Sequence, residues 1–333
     1  MKIEHKFPFD PTNGMTREEL LQIPPSEEPA GFRNFWEETY ALVWNAPLRY
    51  TVETRLWSPV PEEKIFRVRA VNWDNTEIVM WITRPADSKG AVLLGQGYGH
   101  PKNPSDDYFI YLMSEGKGEG ELRSSSPLGL TLCHPMVRGL GASQCSGIPW
   151  IPAQHVLHGI ASRETYVLRG VIADEWLAVR VLLDMFPDCA DNLNYVGGSM
   201  GGGMGALLLP WEKRFRKAVL HVPAFGAPIR FAYQTSGSGD ACRNYLAAHP
   251  EAADVLKYFD ASVSASYIRI PVCCTPALFD PCVAPVGQFS IVNAIAEEYK
   301  TLLIRDTGHF EKTPKDEEVE AQLRVWCKEN FLQ

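Results

Sequence analysis

Two short stretches near residue 70 alternate apolar and polar side chains with a period of two: Ile65-Phe66-Arg67-Val68-Arg69-Ala70-Val71 and Glu77-Ile78-Val79-Met80-Trp81-Ile82. Alternation sends every second side chain to one face, and Asn72 to Thr76 between them reads as a turn. The pair predicts a hairpin at the edge of a sheet. Beyond it the pattern changes to short apolar runs near 91–95, 130–137, 193–196, 217–222, 270–278 and 301–305, each read as a strand. Helix-like stretches intervene, with a long helix near 164–186 and a last one from about Pro314 to Phe331. Strands alternating with helices predict an α/β fold, a mostly parallel central sheet with helices on both faces. Residues 1–45 read as an N-terminal extension, with a Pro-Glu stretch at 24–29 and a helix around Phe32 to Trp44. Residues 46–333 form one domain, with no repeat or low-complexity linker dividing them. The Gly- and Ser-rich segment 104–128 reads as a long loop.

Directly after Leu193-Asn194-Tyr195-Val196, and ahead of Ala206-Leu207-Leu208-Leu209, stands Gly197-Gly198-Ser199-Met200-Gly201-Gly202-Gly203-Met204-Gly205. A serine on a sharp strand-to-helix turn has a strained backbone, and side chains beside it would clash. Gly197 and Gly201 remove those clashes, and the next glycines let the helix pack close to the sheet. The G-x-S-x-G spacing therefore points to Ser199 as a nucleophile, beside helix N–H groups that favour a developing negative charge. An idle serine in a glycine-rich turn is the plainer alternative, which one short motif does not dismiss.

A nucleophilic serine needs a base and an orienting acid, which follow this elbow in the order Ser, Asp or Glu, His. After His249 the chain holds a single histidine, His309, in a Gly-His loop at the end of a short apolar run. Neutral imidazole can take the serine proton and return it to the leaving group. Asp280 ends the apolar run Ile270 to Phe279 and is placed to hold the histidine tautomer, although an Asp before a Pro is also a common turn. Asp306, too close in sequence to His309, and Asp260, suited to an N-cap before 262–267, are rivals. For the oxyanion, the expected donors are the backbone N–H of Met200 and that of Tyr98, in Gly95-Gln96-Gly97-Tyr98-Gly99-His100. His100 has no second ligand at a fixed spacing and reads as a loop histidine. No metal or organic cofactor is expected.

Taken together these residues resemble the acetyl xylan esterases and cephalosporin C deacetylases of carbohydrate esterase family 7. The family's Gly-Gly-Ser-Gln-Gly-Gly-Gly elbow is matched by Gly197 to Gly203 with Met200 in place of the glutamine, and its His-Gly-Tyr loop by Gln96-Gly97-Tyr98. Arg138-Gly139-Leu140-Gly141, Tyr166, Arg169-Gly170, Asp174, Arg180, Tyr258-Phe259-Asp260, Asp280 to Pro285, Phe32 and Phe35-Trp36 match further family segments. The resemblance, from about Gly31 onward, implies an α/β-hydrolase fold and the triad Ser199, Asp280, His309, with Asp260 structural. It also implies a small acyl group, acetyl first, on a sugar or similar bulky alcohol, and a homo-oligomer, a hexamer. The departures at Gln96 and Met200, and Pro223-Ala224-Phe225 where the family has Pro-Tyr, are expected to alter the pocket lining.

Composition narrows the field further. A net charge of −8 argues against nucleic acid or an anionic membrane surface as the main partner. No apolar run reaches the length of a membrane span, and the first residues lack a signal-like apolar core, so a cytoplasmic enzyme is expected. The eight cysteines are scattered without C-x-x-C spacing and read as reduced, structural thiols, Cys282 included. Other uses of a serine triad, such as a peptidase or thioesterase, remain open, as does a non-catalytic binding protein on the same scaffold.

Overall fold

The computed structural model describes residues 3–56, 63–98, 108–113, 126–145, 147–227 and 233–333. Its strands are β1 (Arg49–Leu56), β2 (Lys64–Val71), β3 (Glu77–Arg84), β4 (Ala91–Gly95), β5 (Thr131–Met136), β6 (Leu193–Gly198), β7 (Phe215–His221), β8 (Val272–Thr275), β9 (Ala277–Phe279), β10 (Lys300–Leu302) and β11 (Arg305–Thr307). Nine of them form one sheet in the order β1-β2-β3-β5-β4-β6-β7-β8-β10. The first three run antiparallel to their neighbours, and every pair from β5 to β10 is parallel. This is the α/β-hydrolase fold.

The short apolar runs lack a polar face because both faces of the sheet are covered. Side chains alternate between two cores: Leu93, Tyr195 and Cys274 enter one, while Val92, Leu94, Val196 and Cys273 enter the other. The larger core takes the helices Phe32–Asn45, Val167–Met185, Met200–Leu208 and Pro285–Ala294. The smaller takes the helices Tyr108–Met113 and Pro314–Asn330, through Phe109, Leu112, Leu323 and Cys327. No helix among the described residues is long and apolar enough to cross a membrane.

Four expectations change. The hairpin β2–β3 is real, but β1 lies outside it, so it is not the edge. Ile270 to Phe279 is not one strand: Pro276 has no N–H to continue a ladder, and the chain leaves the main sheet there. The run 301–305 divides in the same way, and β9 and β11 pair with each other in a separate two-stranded parallel sheet. Within 104–128, Tyr108–Met113 is a helix with Phe109, Ile110 and Leu112 buried, not loop. Residues 104–107 and 114–125, like Gly99 and His100, lie outside the described residues.

The remaining singled-out residues lock the helices to one another. Trp36 stacks edge-on against Phe259 and Trp176, and its indole N–H donates to the Tyr258 carbonyl at 2.9 Å. Arg138 donates to both carboxylate oxygens of buried Asp174 at 2.8–2.9 Å and also bridges Asp74. Arg169 reaches the Thr39 hydroxyl at 2.9 Å, and Arg180 reaches the carbonyls of Val43 and Ala46. These contacts tie the N-terminal helix to the long helix under the sheet.

Candidate active site

The β6-to-helix turn brings Ser199 to the carboxyl end of the parallel sheet. Ser199 has φ 55° and ψ −119°, a region almost reserved for glycine, and caps the helix Met200–Leu208. The strain is held from three sides. The Ser199 amide donates to the His221 carbonyl at 2.9 Å, its carbonyl accepts from Ala224 at 3.0 Å, and the Tyr195 phenol donates to the Gly201 carbonyl at 2.6 Å. A Cβ at Gly201 would overlap the Gly95 carbonyl, and one at Gly197 the Gly201 carbonyl. Side chains at those two positions are excluded by backbone, not by flexible neighbours.

β9 and β11 place the other two residues. Their register sets Phe279 beside Thr307, so Asp280 and Gly308-His309 leave the small sheet side by side. His309 Nδ1 lies 2.9 Å from Asp280 Oδ2 and 3.0 Å from Oδ1. Gly308 permits this approach, because a Cβ there would overlap Asp280 Oδ2. Asp280 is fully buried and accepts from the amides of Cys282 and Val283 at 2.8 and 3.0 Å and from Gln288 Nε2 at 2.9 Å. Neither Gly308 nor Gln288 was singled out from the sequence. Gly308, just before the only histidine downstream, could have been; Gln288 gives no local signal.

Burial pulls the His309 pKa down, but the Asp280 charge and hydrogen bonds outweigh it and hold it above 6.5. An imidazole whose Nδ1 faces a carboxylate carries its hydrogen there, leaving Nε2 free to accept a proton. Asp260, by contrast, caps the helix Ala261–Ala265 and receives the Ala227 amide at 2.8 Å, the structural part expected of it. Asp306 accepts from the Thr313 hydroxyl instead.

Ser199, Met200, Tyr98 and His309 line one cavity of about 400 Å³, with Ala224, Phe225, Cys242, Val283 and Ala284 among its apolar walls. The Tyr98 hydroxyl meets His155 Nδ1 at 3.0 Å, and His155 Nε2 faces the Arg138 carbonyl at 3.0 Å. A carbonyl only accepts, so Nε2 carries the hydrogen and the phenol donates to Nδ1. Gln96 departs from the expected pocket position: it is 1% exposed, and its Oε1 accepts from the Val137 amide at 3.0 Å. Met200 and Ala224 do line the cavity. So does Cys282, only half-buried, which corrects its reading as a packing residue; its Sγ lies 3.1 Å from the Ser236 hydroxyl. Burial pushes the Cys282 thiol pKa up, away from nucleophilic reactivity. Asp280, Cys282 and His309 are the one group of possible metal donors found together among the described residues. The Asp280 oxygens there are already engaged by His309 and three further donors.

The family model described as acetyl xylan esterase (AXE1) matches residues 14–329. The chain belongs to the acetyl xylan esterase family. It is a carboxylic ester hydrolase, an acetyl esterase on the α/β-hydrolase fold. Among solved structures, acetyl xylan esterase 1 from Thermoanaerobacterium sp. superposes with TM-score 0.74 at 17% identity, covering 94% of this chain and 98% of that one. An acetyl xylan esterase from Paenibacillus sp. R4 gives 0.72 at 22% identity, over 94% and 99% of the two chains. Prolyl oligopeptidase B from Galerina marginata gives 0.56 at 16% identity over 81% of this chain and 36% of its own. Likeness at these identities shows the shared fold.

Proposed function

We propose that the chain removes acetyl groups from carbohydrates or similar bulky alcohols, with Ser199 as nucleophile, His309 as general base and acid, and Asp280 as the orienting carboxylate. The observation that carries this reading is the His309–Asp280 pair at 2.9 Å on the cavity into which the strained Ser199 turn opens. Ser199 attacks the ester carbonyl as His309 Nε2 takes its proton. The Tyr98 and Met200 amides receive the tetrahedral oxyanion, where losing one donor typically costs about 10²–10³ in turnover. His309 then protonates the leaving alcohol, and water repeats the sequence on the acyl-enzyme. No described residue lining the cavity is a carboxylate that would pair with a peptide amine, which favours an ester over a peptide substrate.

Initial rates on acetyl, butyryl and octanoyl p-nitrophenyl esters, wild type beside Ser199→Ala, test the reading. A Ser199-dependent preference for acetyl supports it and leads to acetylated xylo-oligosaccharides. A preference for octanoyl discards the deacetylase, and activity retained in Ser199→Ala discards the site. The family resemblance further suggests a homo-oligomer, a hexamer, and the scattered, unpatterned cysteines a cytoplasmic one. Trp150 and Ile151, exposed beside cavity-lining Pro152, are apolar surface that assembly would cover. Sedimentation of the purified chain checks this.

A further inference from the structure

The aromatic residues flanking the acid and the base are both covered by the N-terminal segment. Phe279 precedes Asp280 and Phe310 follows His309; their rings lie 5.2 Å apart. The His5 ring sits 5.3 Å from Phe279, and Phe7 packs edge-on against Phe310 at 5.9 Å. Phe9 continues the row against Phe7 at 5.5 Å. The Pro11 carbonyl then accepts the backbone amide of Asp280 at 3.1 Å. The turn presenting Pro11 is itself fixed, since the Asp10 carboxylate accepts from the Thr12 amide at 2.9 Å and the Gly14 amide at 3.0 Å.

The small sheet carrying the acid–base pair has two strands of three residues each. Such a sheet is too short to hold its own geometry and needs outside support. Gln288 supplies support from the core side, through Asp280 Oδ2 and the Ala277 amide. The N-terminal segment supplies further support through the His5 and Phe7 rings and the backbone hydrogen bond to Pro11.

We propose that residues 5–11 form a positioning clasp, in which Phe7 and Pro11 hold the Phe279-Asp280 and His309-Phe310 turns together so that Asp280 stays on His309 Nδ1. The proposal rests on reading Ser199, His309 and Asp280 as the catalytic triad. The clasp touches neither substrate nor reacting atoms. It acts on turnover by keeping the base in place, where small displacements are costly.

The test uses the full-length chain carrying Phe7→Ala, Phe7→Leu or His5→Ala, with Val43→Ala as a core variant remote from the pair. Each is assayed for kcat and KM on p-nitrophenyl acetate across the acid limb of the pH profile, with the melting temperature taken alongside. The titratable groups around His309 are Asp280 and Cys282 on the acid loop and His221 on β7, which itself feels the charges of Arg305 and Lys312; none of them is substituted in these variants. His5 and Asp10 lie on the clasp itself. Phe7→Ala is expected to lower kcat about tenfold with KM within about twofold, a fraction of what a 1 Å misplacement can cost. Its acid limb moves to lower pH as the hold of Asp280 slackens, and Phe7→Leu recovers most of the rate. Val43→Ala lowers the melting temperature without moving the limb.

If Phe7→Ala has an unmoved acid limb and a kcat matching Val43→Ala, the clasp is overturned. Should Phe7→Ala fail to fold, His5→Ala is read by the same quantities: a smaller shift of the same sign supports the clasp, and an unmoved limb overturns it. Ser199→Ala in the same assay separates the two claims, because activity surviving there removes the triad, not the clasp alone.

Discussion

The Tyr98 phenol donates to His155 Nδ1 at 3.0 Å, and through it the loop carrying the expected oxyanion amide is anchored to the Arg138 carbonyl. The bond is part-buried, with His155 fully buried beneath it, and desolvation pushes the Tyr98 pKa well above 10, so the phenol remains a donor throughout the working pH range. Tyr98→Phe keeps the amide and loses only the anchor. A kcat reduction of about three- to tenfold is expected, in keeping with one lost hydrogen bond of about 1 kcal/mol. Steady-state kinetics on p-nitrophenyl acetate decide it, and a loss beyond about a hundredfold would mean that the phenol itself meets the substrate.

Ser199 stores backbone strain that activity requires. Glycine adopts φ 55°, ψ −119° freely, so Ser199→Gly sheds a cost of order 1–3 kcal/mol against roughly 1 kcal/mol of added chain entropy. The variant is expected to be inactive and at least as stable as the wild type. Urea unfolding measures this, and a clear destabilisation would contradict the strain assignment.

Gly308→Ala places a Cβ on Asp280 Oδ2. The Asp280–His309 contact must open, and activity is expected to fall by about 10² or more, with only a modest change in melting temperature. Wild-type turnover in this variant would show that the pair is not needed as drawn.

The two histidines near the site respond to pH with opposite signs. His309 must be neutral to act as base, and its pKa lies above 6.5, so kcat/KM rises with pH through a value above 6.5. Asp280→Asn removes the raising charge, so the limb moves to lower pH while the rate drops. For stability, the raised His309 pKa contributes fully below 6.5 and is lost as pH rises through the folded value. Burial, then the charges of Arg305 and His309, holds His221 well below 6.5; its contribution is present above 6.5 and lost as pH falls. The melting temperature against pH is expected to fall less steeply on the acid side in His221→Gln.

The glycine turn, the order of nucleophile, acid and base, and the alternation of strands and helices were legible because each is a short-range property. A serine at φ 55° needs glycine neighbours within the same turn, and they stand beside it in sequence. The single downstream histidine left no rival for the base. Asp280 was less secure: Asp260 and Asp306 offered the same carboxylate, and only spatial pairing with Nδ1 separates them. β1 escaped because Arg49-Tyr50-Thr51-Val52-Glu53 belongs to an edge strand with little buried surface, where pattern carries little information.

By itself the sequence determined a parallel α/β sheet and the elbow on it, since hydrophobic periodicity and the steric needs of one turn act between near neighbours. The tertiary structure decided the rest. It split 270–279 at Pro276, paired β9 with β11, left room at Gly308 for the carboxylate, and brought Gln288 and Pro11 to Asp280. The Cys282 and Val283 amides reach the carboxylate within its own turn, but Pro11 and His309 are far along the chain and Gln288 sits on the next helix, so those contacts come into being only when the fold brings the elements together.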